Sequence, residues 1–513
     1  MPVKRRLLRG ETTYSAAVES ESNILLKLTY VEERNKFFTL INQHRVDVEA
    51  LVAHHLSLPF QKNCSVAPIE HWIHGSFNVC VPVEIKDNRR VLVRFPLPYR
   101  VGERVHPGNA DEKVRCEAAS YAWLQQHCPS VPIPYLHGFG LSNGLHYKSL
   151  SNFSCIFRWA QRLHRLWLRL WRRQTPTEYV PSRVKALHNP FGPYIVIDYV
   201  EESEGQVLSE TWDENRENEK LRANLFRCLS HLMLSLSRIP LPKIGSFTID
   251  DDGFLLLMNR PLTSMLHEVE NAGVSMHIAR DRTYTGVISY INDLLTYHDN
   301  RFSHDINAVK GIGDCASQMG ALTIMRAVTP QFYNHDLDAG PFAFWLTDLH
   351  QSNIFVDSNW NITHIIDLEW SASLPLEFMQ LPYWLNGEHI DTIDVESYNP
   401  LRKEFMDIFE GEAANFDASP ARLGGPATQL STILDNNWST GTFWFNLALR
   451  NPPAMHSIFY DRIQPQFAND HLKNQEFYKI VPFYWRRGAK SFVRRKLKEK
   501  EEYDGQLREE FQA

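Results

Sequence analysis

The stretch LTDLHQSNIFVDSNWNITHIIDLEW, residues 346–370, constrains the chain more than any other. Two apolar runs, Ile354-Phe355-Val356 and Ile362 through Ile366, flank Asp357-Ser358-Asn359-Trp360-Asn361, so a β-hairpin is expected. Asp348 and Asn353 stand just before its first strand in the spacing D-x-x-x-x-N, and Asp367 ends its second. Antiparallel pairing puts both strand ends on one side, where the three oxygen-bearing side chains converge. Turn chemistry accounts for residues 357–361, whose Asx side chains satisfy local backbone. It gives no reason for Asp348 or Asp367.

Hard cations such as Mg²⁺ take oxygen ligands of this kind and keep positions for phosphate and water. Phosphoryl transfer from a nucleotide needs a base beside the acceptor hydroxyl and metal ligands that hold the phosphates in line. Asp348 is then the candidate base. Asn353 and Asp367 are the candidate metal ligands, one neutral oxygen and one charged.

Upstream, residues 70–100 alternate short apolar runs with turn residues, a strand pattern in which Val79, Val81 and Val83 share a face and Lys86-Asp87-Asn88 makes a turn. The segment DEKVRCEAASYAWLQQH reads as a helix with the stripe Val114, Ala118, Tyr121 and Leu124, and Glu117 falls on that stripe. A carboxylate facing a core requires a partner. After the Pro- and Gly-punctuated residues 129–140 comes FSCIFRWAQRLHRLWLRLWRRQ, a basic amphipathic helix carrying Arg158, Arg162, Arg165, Arg169 and Arg172. It is either a membrane-surface arm spanning Arg158 to Arg173 or, more simply, an insertion helix with a solvated basic face. A strand resumes at Tyr194, and helical patterns predominate beyond Ser209, interrupted by a hairpin with its turn at Asp250 to Gly253. The C-terminal run KSFVRRKLKEKEEYDGQLREEF reads as a solvated, charged helical tail.

A length of 513 residues exceeds one ordinary core. The net charge of −6 supplies no general attraction to nucleic acid. Seven scattered cysteines without CxxC spacing indicate neither a disulfide framework nor a zinc site, and point to a reducing compartment. No membrane-spanning run or secretory leader is visible, so a cytoplasmic location is expected. The Arg-rich start MPVKRRLLRG leaves a mitochondrial presequence as the lesser alternative, beside a disordered terminus.

With DLHQSNIFVD followed by a strand ending IIDLEW, the sequence resembles the aminoglycoside phosphotransferase and choline kinase family of the protein-kinase-like superfamily, especially its fungal-type branch. That resemblance implies an α+β, two-lobed protein-kinase-like fold with a β-rich N-lobe and a mainly helical C-lobe enclosing ATP. It implies Asp348 as catalytic aspartate, Asn353 and Asp367 on Mg²⁺, and Tyr194 to Glu201 as the linker strand whose backbone at Asp198, Tyr199 and Val200 meets adenine. Gly75, Ser76 and Asn78 occupy the phosphate-loop position with a single glycine. Arg94 in VLVRFP stands where the family has lysine and can pair bidentately with Glu117. Leu346 stands where the family has histidine, so other contacts must hold the catalytic loop. His350 and Glu369 match the branch without an assigned chemistry.

The expected organisation is a helical, partly disordered extension over 1–60 and an N-lobe over 61–200 with a basic insertion at about 142–190. A C-lobe over 201–488 contains the hairpin at 346–370, and a tail covers 489–513. The leading expectation is an ATP- and Mg²⁺-dependent phosphotransferase acting on a hydroxyl of a small molecule. The alternative is a catalytically weak or inactive nucleotide-binding interaction protein. A protein kinase is disfavoured because no D-F-G followed by A-P-E occurs after Asp367. Glu377, Glu388, Asp391 and Asp394 could receive a cationic acceptor or belong to a solvated loop. Oligomeric state is left open.

Overall fold

The computed structural model describes residues 3–58, 63–86, 89–184, 187, 189–417, 427–468 and 474–512. An eight-stranded antiparallel sheet occupies the first part of the chain. Its main path runs Cys64–Val66, Asn78–Ile85, Arg89–Pro96, Tyr194–Asp198, Leu136–Gly140, His146–Ser149 and Tyr179–Ser182, with Ile73–His74 added beside Asn78–Ile85. Alternation decides its faces. Val81 pairs with Val93 and Val83 with Val91, and these valines are buried against Phe37, Ile41, Val48 and Leu51 of helices Ile24–Gln43 and Arg45–Leu56. On the opposite face, Arg94 stands across from Ile195, and Ile195, Ile197 and Phe139 pack with helix Asn109–His127. Asp87 and Asn88 of the expected turn lie outside the described residues.

Helix Cys155–Leu170 connects, along the chain, the last two strands at one edge of the sheet, His146–Ser149 and Tyr179–Ser182. Those strands extend the sheet inside the segment expected to be only an insertion. The helix is fastened by few side chains. Leu168 and Arg165 are buried, the latter donating to Glu178 Oε1 at 2.9 Å. The apolar face is turned to solvent as well as the basic one: Ile156, Trp159, Leu163, Leu166, Trp167 and Leu170 are exposed. The basic face is solvated as expected; the exposure of the apolar face was not anticipated.

The remainder is mainly helical, with helices such as Glu219–Ser237, Val287–His304, Ile312–Val328 and Val395–Asp417 around strand pairs Ser246–Ile249/Leu255–Asn259 and Phe342–Leu346/Ser371–Pro375. One apolar core runs from helix Asn109–His127 into these helices, and Trp123 stacks on Phe344 at 4.3 Å. The same helix is clamped through Glu112, which accepts from Arg260 Nε and Nη2 at 2.9 Å each, while Arg260 Nη1 donates to Glu270 at 2.7 Å. No helix among the described residues is long and apolar enough to cross a membrane.

Both ends differ from the expected disordered start and solvated tail. Strand Lys4–Arg6 pairs with Glu11–Thr13, and helix Ala489–Gln512 buries Phe492, Tyr503, Leu507 and Phe511. Tyr503 Oη accepts from the Ile24 amide at 2.9 Å, and Tyr14 meets Phe511 edge-on at 6.1 Å. The reason is spacing: 503, 507 and 511 recur every four residues and make one apolar stripe among the charges.

Candidate active site

The expected hairpin is present as Ile354–Val356 and Ile362–Ile365, with Ile354 opposite Ile365. Its turn is built by Asp357, whose Oδ1 accepts from the amides of Asn359 and Asn361 at 2.8 and 2.9 Å. Beside it, Leu346 pairs with Ser371, which ties together the two ends of the segment that carries the hairpin. The loop entering the hairpin is held at its backbone, and Leu346 is buried. Thr347 Oγ1 donates to the Trp370 carbonyl at 2.7 Å, Arg450 to the Thr347 carbonyl at 2.9 Å, and Trp384 Nε1 to the Leu349 carbonyl at 3.1 Å. His350 accepts from the Ser352 amide at 3.3 Å, a purely local bond.

Asp348, Asn353 and Asp367 are brought together. Asn353 Nδ2 donates to the Asp348 carbonyl at 2.8 Å and to its Oδ2 at 3.3 Å. The Ile366 amide donates to the Asn353 carbonyl at 3.0 Å, which sets Asp367 next to Asn353. Asp367 adopts φ +58°, a left-handed backbone uncommon for a residue with a side chain. Burial, with the charges of Asp367 and Glu369 behind it, pushes the Asp348 carboxyl up to about 7.

Behind these groups lies a buried ion cluster that sequence reasoning found only in part. Arg94 Nη1 donates to Glu117 Oε1 at 2.8 Å and Nη2 to Glu369 Oε2 at 2.9 Å, and Nη2 also contacts Asp367. The guanidinium thus divides itself among three carboxylates and does not grip Glu117 bidentately. Lys113, fully buried, donates to Glu369 Oε2 at 2.8 Å and to Asn78 Oδ1 at 2.6 Å, and Asn78 Nδ2 donates to the same Glu369 oxygen at 2.6 Å. Lys113 and the role of Glu369 were missed. The available signal was the i, i+4 spacing of Lys113 and Glu117 on one helix. Burial opposes ionisation of Glu369, yet Lys113 and Arg94 hold its carboxyl below the usual range. Burial pushes Glu117 up to about 7 against the pull of Arg94 and Lys113.

The remaining expected residues are placed less centrally. Gly75 and Ser76 are exposed, the Gly75 amide donating to the Asn78 carbonyl at 3.0 Å and the Ser76 carbonyl accepting from Arg100 at 2.8 Å. Phe77 is buried edge-on against Trp370 at 5.0 Å, which pulls Asn78 inward to the ion cluster. Asp198 contacts His137 Nε2 at 2.9 Å and its amide donates to the Tyr135 carbonyl at 2.9 Å. Tyr199 lies under the Arg90 guanidinium at 3.9 Å, and Val200 follows, half-buried, as the chain crosses to the helical part. Among the described residues, no hydrogen bond or ion pair joins these three to the Arg94 cluster.

For Mg²⁺, the donor set fits. Asn353 spends its amide nitrogen on Asp348 and keeps Oδ1 available, and the Asp367 side chain is 33% exposed. Among the described residues no three His, Cys, Asp or Glu side chains are gathered to hold a metal by themselves. A Mg²⁺ ion that takes its other positions from phosphate and water needs only one or two carboxylates. For a phosphate, Arg94 Nε is a buried donor without a partner.

A cavity of about 170 Å³ opens beside Asp348. Its walls are largely apolar and aromatic, with Tyr290, Tyr297, Trp345, Trp370 and Tyr383 among them, and among the described residues its only charged side chains are Asp348 and Arg450. The acidic residues after the hairpin do not line it. Glu377 is buried and accepts from the Asn334 amide at 2.9 Å, Glu388 accepts from the Asp394 amide at 2.6 Å, and Asp394 accepts from the Ser397 amide at 2.9 Å. Asp391 is exposed. These carboxylates serve mainly local backbone.

No protein-family model matches the chain, and no curated protein matches it. Among solved structures, a thermostable mutant of aminoglycoside phosphotransferase APH(4)-Ia, in ternary complex with AMP-PNP and hygromycin B, aligns over 85% of this chain and 99% of its own. The identity is 11% and the TM-score 0.33. Macrolide 2'-phosphotransferase type I aligns over 82% and 90%, at 12% identity and a TM-score of 0.24. Both scores are too low to carry an argument about this chain.

Proposed function

We propose that the chain transfers a phosphoryl group from Mg·ATP to a hydroxyl of a small molecule, and that this acceptor is a largely apolar alcohol. The observation that supports it is the junction of two features: Asp348, whose carboxyl is pushed up to about 7, faces a largely apolar cavity, and Asn353 and Asp367 stand beside it. Asp348 orients the acceptor hydroxyl and takes its proton as the new O–P bond forms and the bond to the departing ADP breaks. Asn353 Oδ1 and the Asp367 carboxylate would hold Mg²⁺, which, when bound, neutralises charge on the phosphates. Arg94 adds a fixed cation next to them, kept in place by Glu117 and Glu369. The crossing segment from Asp198 to Val200 is the adenine contact in this reading.

Acceptor class follows from the cavity wall. A polycationic aminoglycoside would bring several ammonium groups to a space whose charged neighbours, among the described residues, are Asp348 and the cation Arg450. Aromatic walls suit a hydrophobic body with one hydroxyl. The test is ADP release with Mg·ATP and a panel of aromatic and aliphatic alcohols beside aminoglycosides. Stimulation by the apolar alcohols alone is expected.

A second reading has one observation in its favour: the Arg94 guanidinium already sits on Asp367, the proposed metal carboxylate. Nucleotide binding without turnover on any acceptor would establish a nucleotide-dependent interaction protein. Absence of Mg·ATP binding would end both readings.

A further inference from the structure

We infer that helix Cys155–Leu170 is an interfacial anchor that lays the molecule on an anionic membrane surface. The inference stands apart from the phosphotransferase reading and rests on which way the helix faces. At 100° per residue, Ile156, Trp159, Leu163, Leu166, Trp167 and Leu170 form one stripe, and Arg165 and Leu168 point the other way, into the body. The exposures bear this out: Ile156 is 84% exposed, Leu170 75% and Trp159 65%, against 5% for Arg165. Trp171, just beyond the helix, is 66% exposed and continues the stripe. An ordinary insertion helix does the reverse, burying its apolar side. A contiguous exposed apolar face of this kind marks an interaction site.

Charge selects the occupant. Arg158, Arg162 and Arg169 lie in a row along one flank of the apolar stripe, and Arg172 and Arg173 follow it. Between residues 151 and 173 there is no Asp or Glu. No carboxylate pairs with Arg158, Arg162 or Arg169 among the described residues, although the whole chain carries net −6. A second copy of this helix would therefore set arginine rows near one another without acids to offset them. An anionic bilayer offers what the helix lacks: acyl chains for the stripe, phosphates for the guanidiniums, and an interfacial zone for the indoles of Trp159, Trp167 and Trp171. Placement suits this use. The helix hangs from the outer strands of the sheet, with Leu136–Gly140 and Tyr194–Asp198 between those strands and the one that carries Arg94, so docking leaves the candidate site uncovered.

The experiment is flotation of the full chain with vesicles of phosphatidylcholine plus phosphatidylserine, and with phosphatidylcholine alone. Co-flotation with the anionic vesicles, weakened by added salt, is expected, with a blue shift of tryptophan emission. The double variant Leu163→Asp/Leu166→Asp changes exposed positions only, so its melting temperature should match the parent while flotation is lost. Arg162→Glu/Arg169→Glu should lower partitioning by about 25-fold or more, each basic residue being worth about a fivefold change near an anionic surface. Failure of the parent chain to float, or equal flotation by a well-folded Leu163→Asp/Leu166→Asp variant, would overturn the proposal. So would light scattering that shows a dimer without vesicles and a monomer in that variant, which would assign the face to a second copy.

Discussion

At the residue scale, the candidate site depends on where charge is placed and how it is offset. Asp348→Asn keeps shape but removes the basic oxygen, so turnover should fall by roughly 10²- to 10⁴-fold with Mg·ATP affinity nearly unchanged. A base must be ionised to act. With the Asp348 carboxyl near 7, the rate should be low in acid, rise through about pH 7 and level off above it. Part of that elevation comes from the charge of Asp367, so Asp367→Asn should move the midpoint downward while weakening the metal-dependent part of nucleotide affinity. A pH–rate profile of both variants, followed as slow ATP hydrolysis to water, checks the two together. Lys113 makes a separate prediction. Lys113→Met takes one of two buried cations from Glu369, leaving Arg94, and strips Asn78 Oδ1 of its donor, so stability should drop by about 1–3 kcal/mol, read as a lower denaturation midpoint. Little of the Lys113 role was legible, because one lysine beside a helical stripe looks like any solvated lysine. Glu117 was legible for the opposite reason: a carboxylate on the stripe has to be explained.

Elements were legible in proportion to how clean their periodicity was. The valines at 79, 81, 83, 91 and 93 announce their strands, and the Asx-rich turn at 357–361 announces the hairpin. His146–Ser149 and Tyr179–Ser182 escaped because HYKS and YVPS have no apolar alternation, and each is ordered by the sheet edge it joins. The helix between them was recognised, but its orientation was not, since a sequence gives the faces of a helix and not the side on which it docks. Because only Arg165 and Leu168 are buried along it, the helix should be separable from the fold. Replacing residues 153–175 by a flexible Gly/Ser bridge, which spares strand Tyr179–Ser182, should leave nucleotide binding within about twofold of the parent by calorimetry. Loss of binding in a folded variant would make the helix part of the site.

At the scale of the whole molecule, sheet and helices share one core through helix Asn109–His127, which is held by Arg260 at Glu112 and by Arg94 at Glu117. A ligand that bridges Arg94 on the sheet and Asp367 on the hairpin should therefore stabilise the molecule as a unit. Mg·ATP at a hundredfold excess over Kd should add about 2.7 kcal/mol and raise the melting temperature, and ATP without Mg²⁺ should do so less. The division into a strand-rich first part and a helical second part could be read from the order of patterns along the chain. The contacts between the two ends could not, because they join residues almost the full length of the sequence apart. Those contacts impose a timetable. The apolar side chains of Ala17 and Ile24 are covered by Tyr503, Leu507 and Phe511, so an early-made patch waits for partners made later, with 479 residues between Ile24 and Tyr503. At translation rates of about 5–20 residues per second, the wait is on the order of half a minute to a minute and a half. During it that patch lacks the cover these three side chains give, and it is sealed only once Phe511 has emerged.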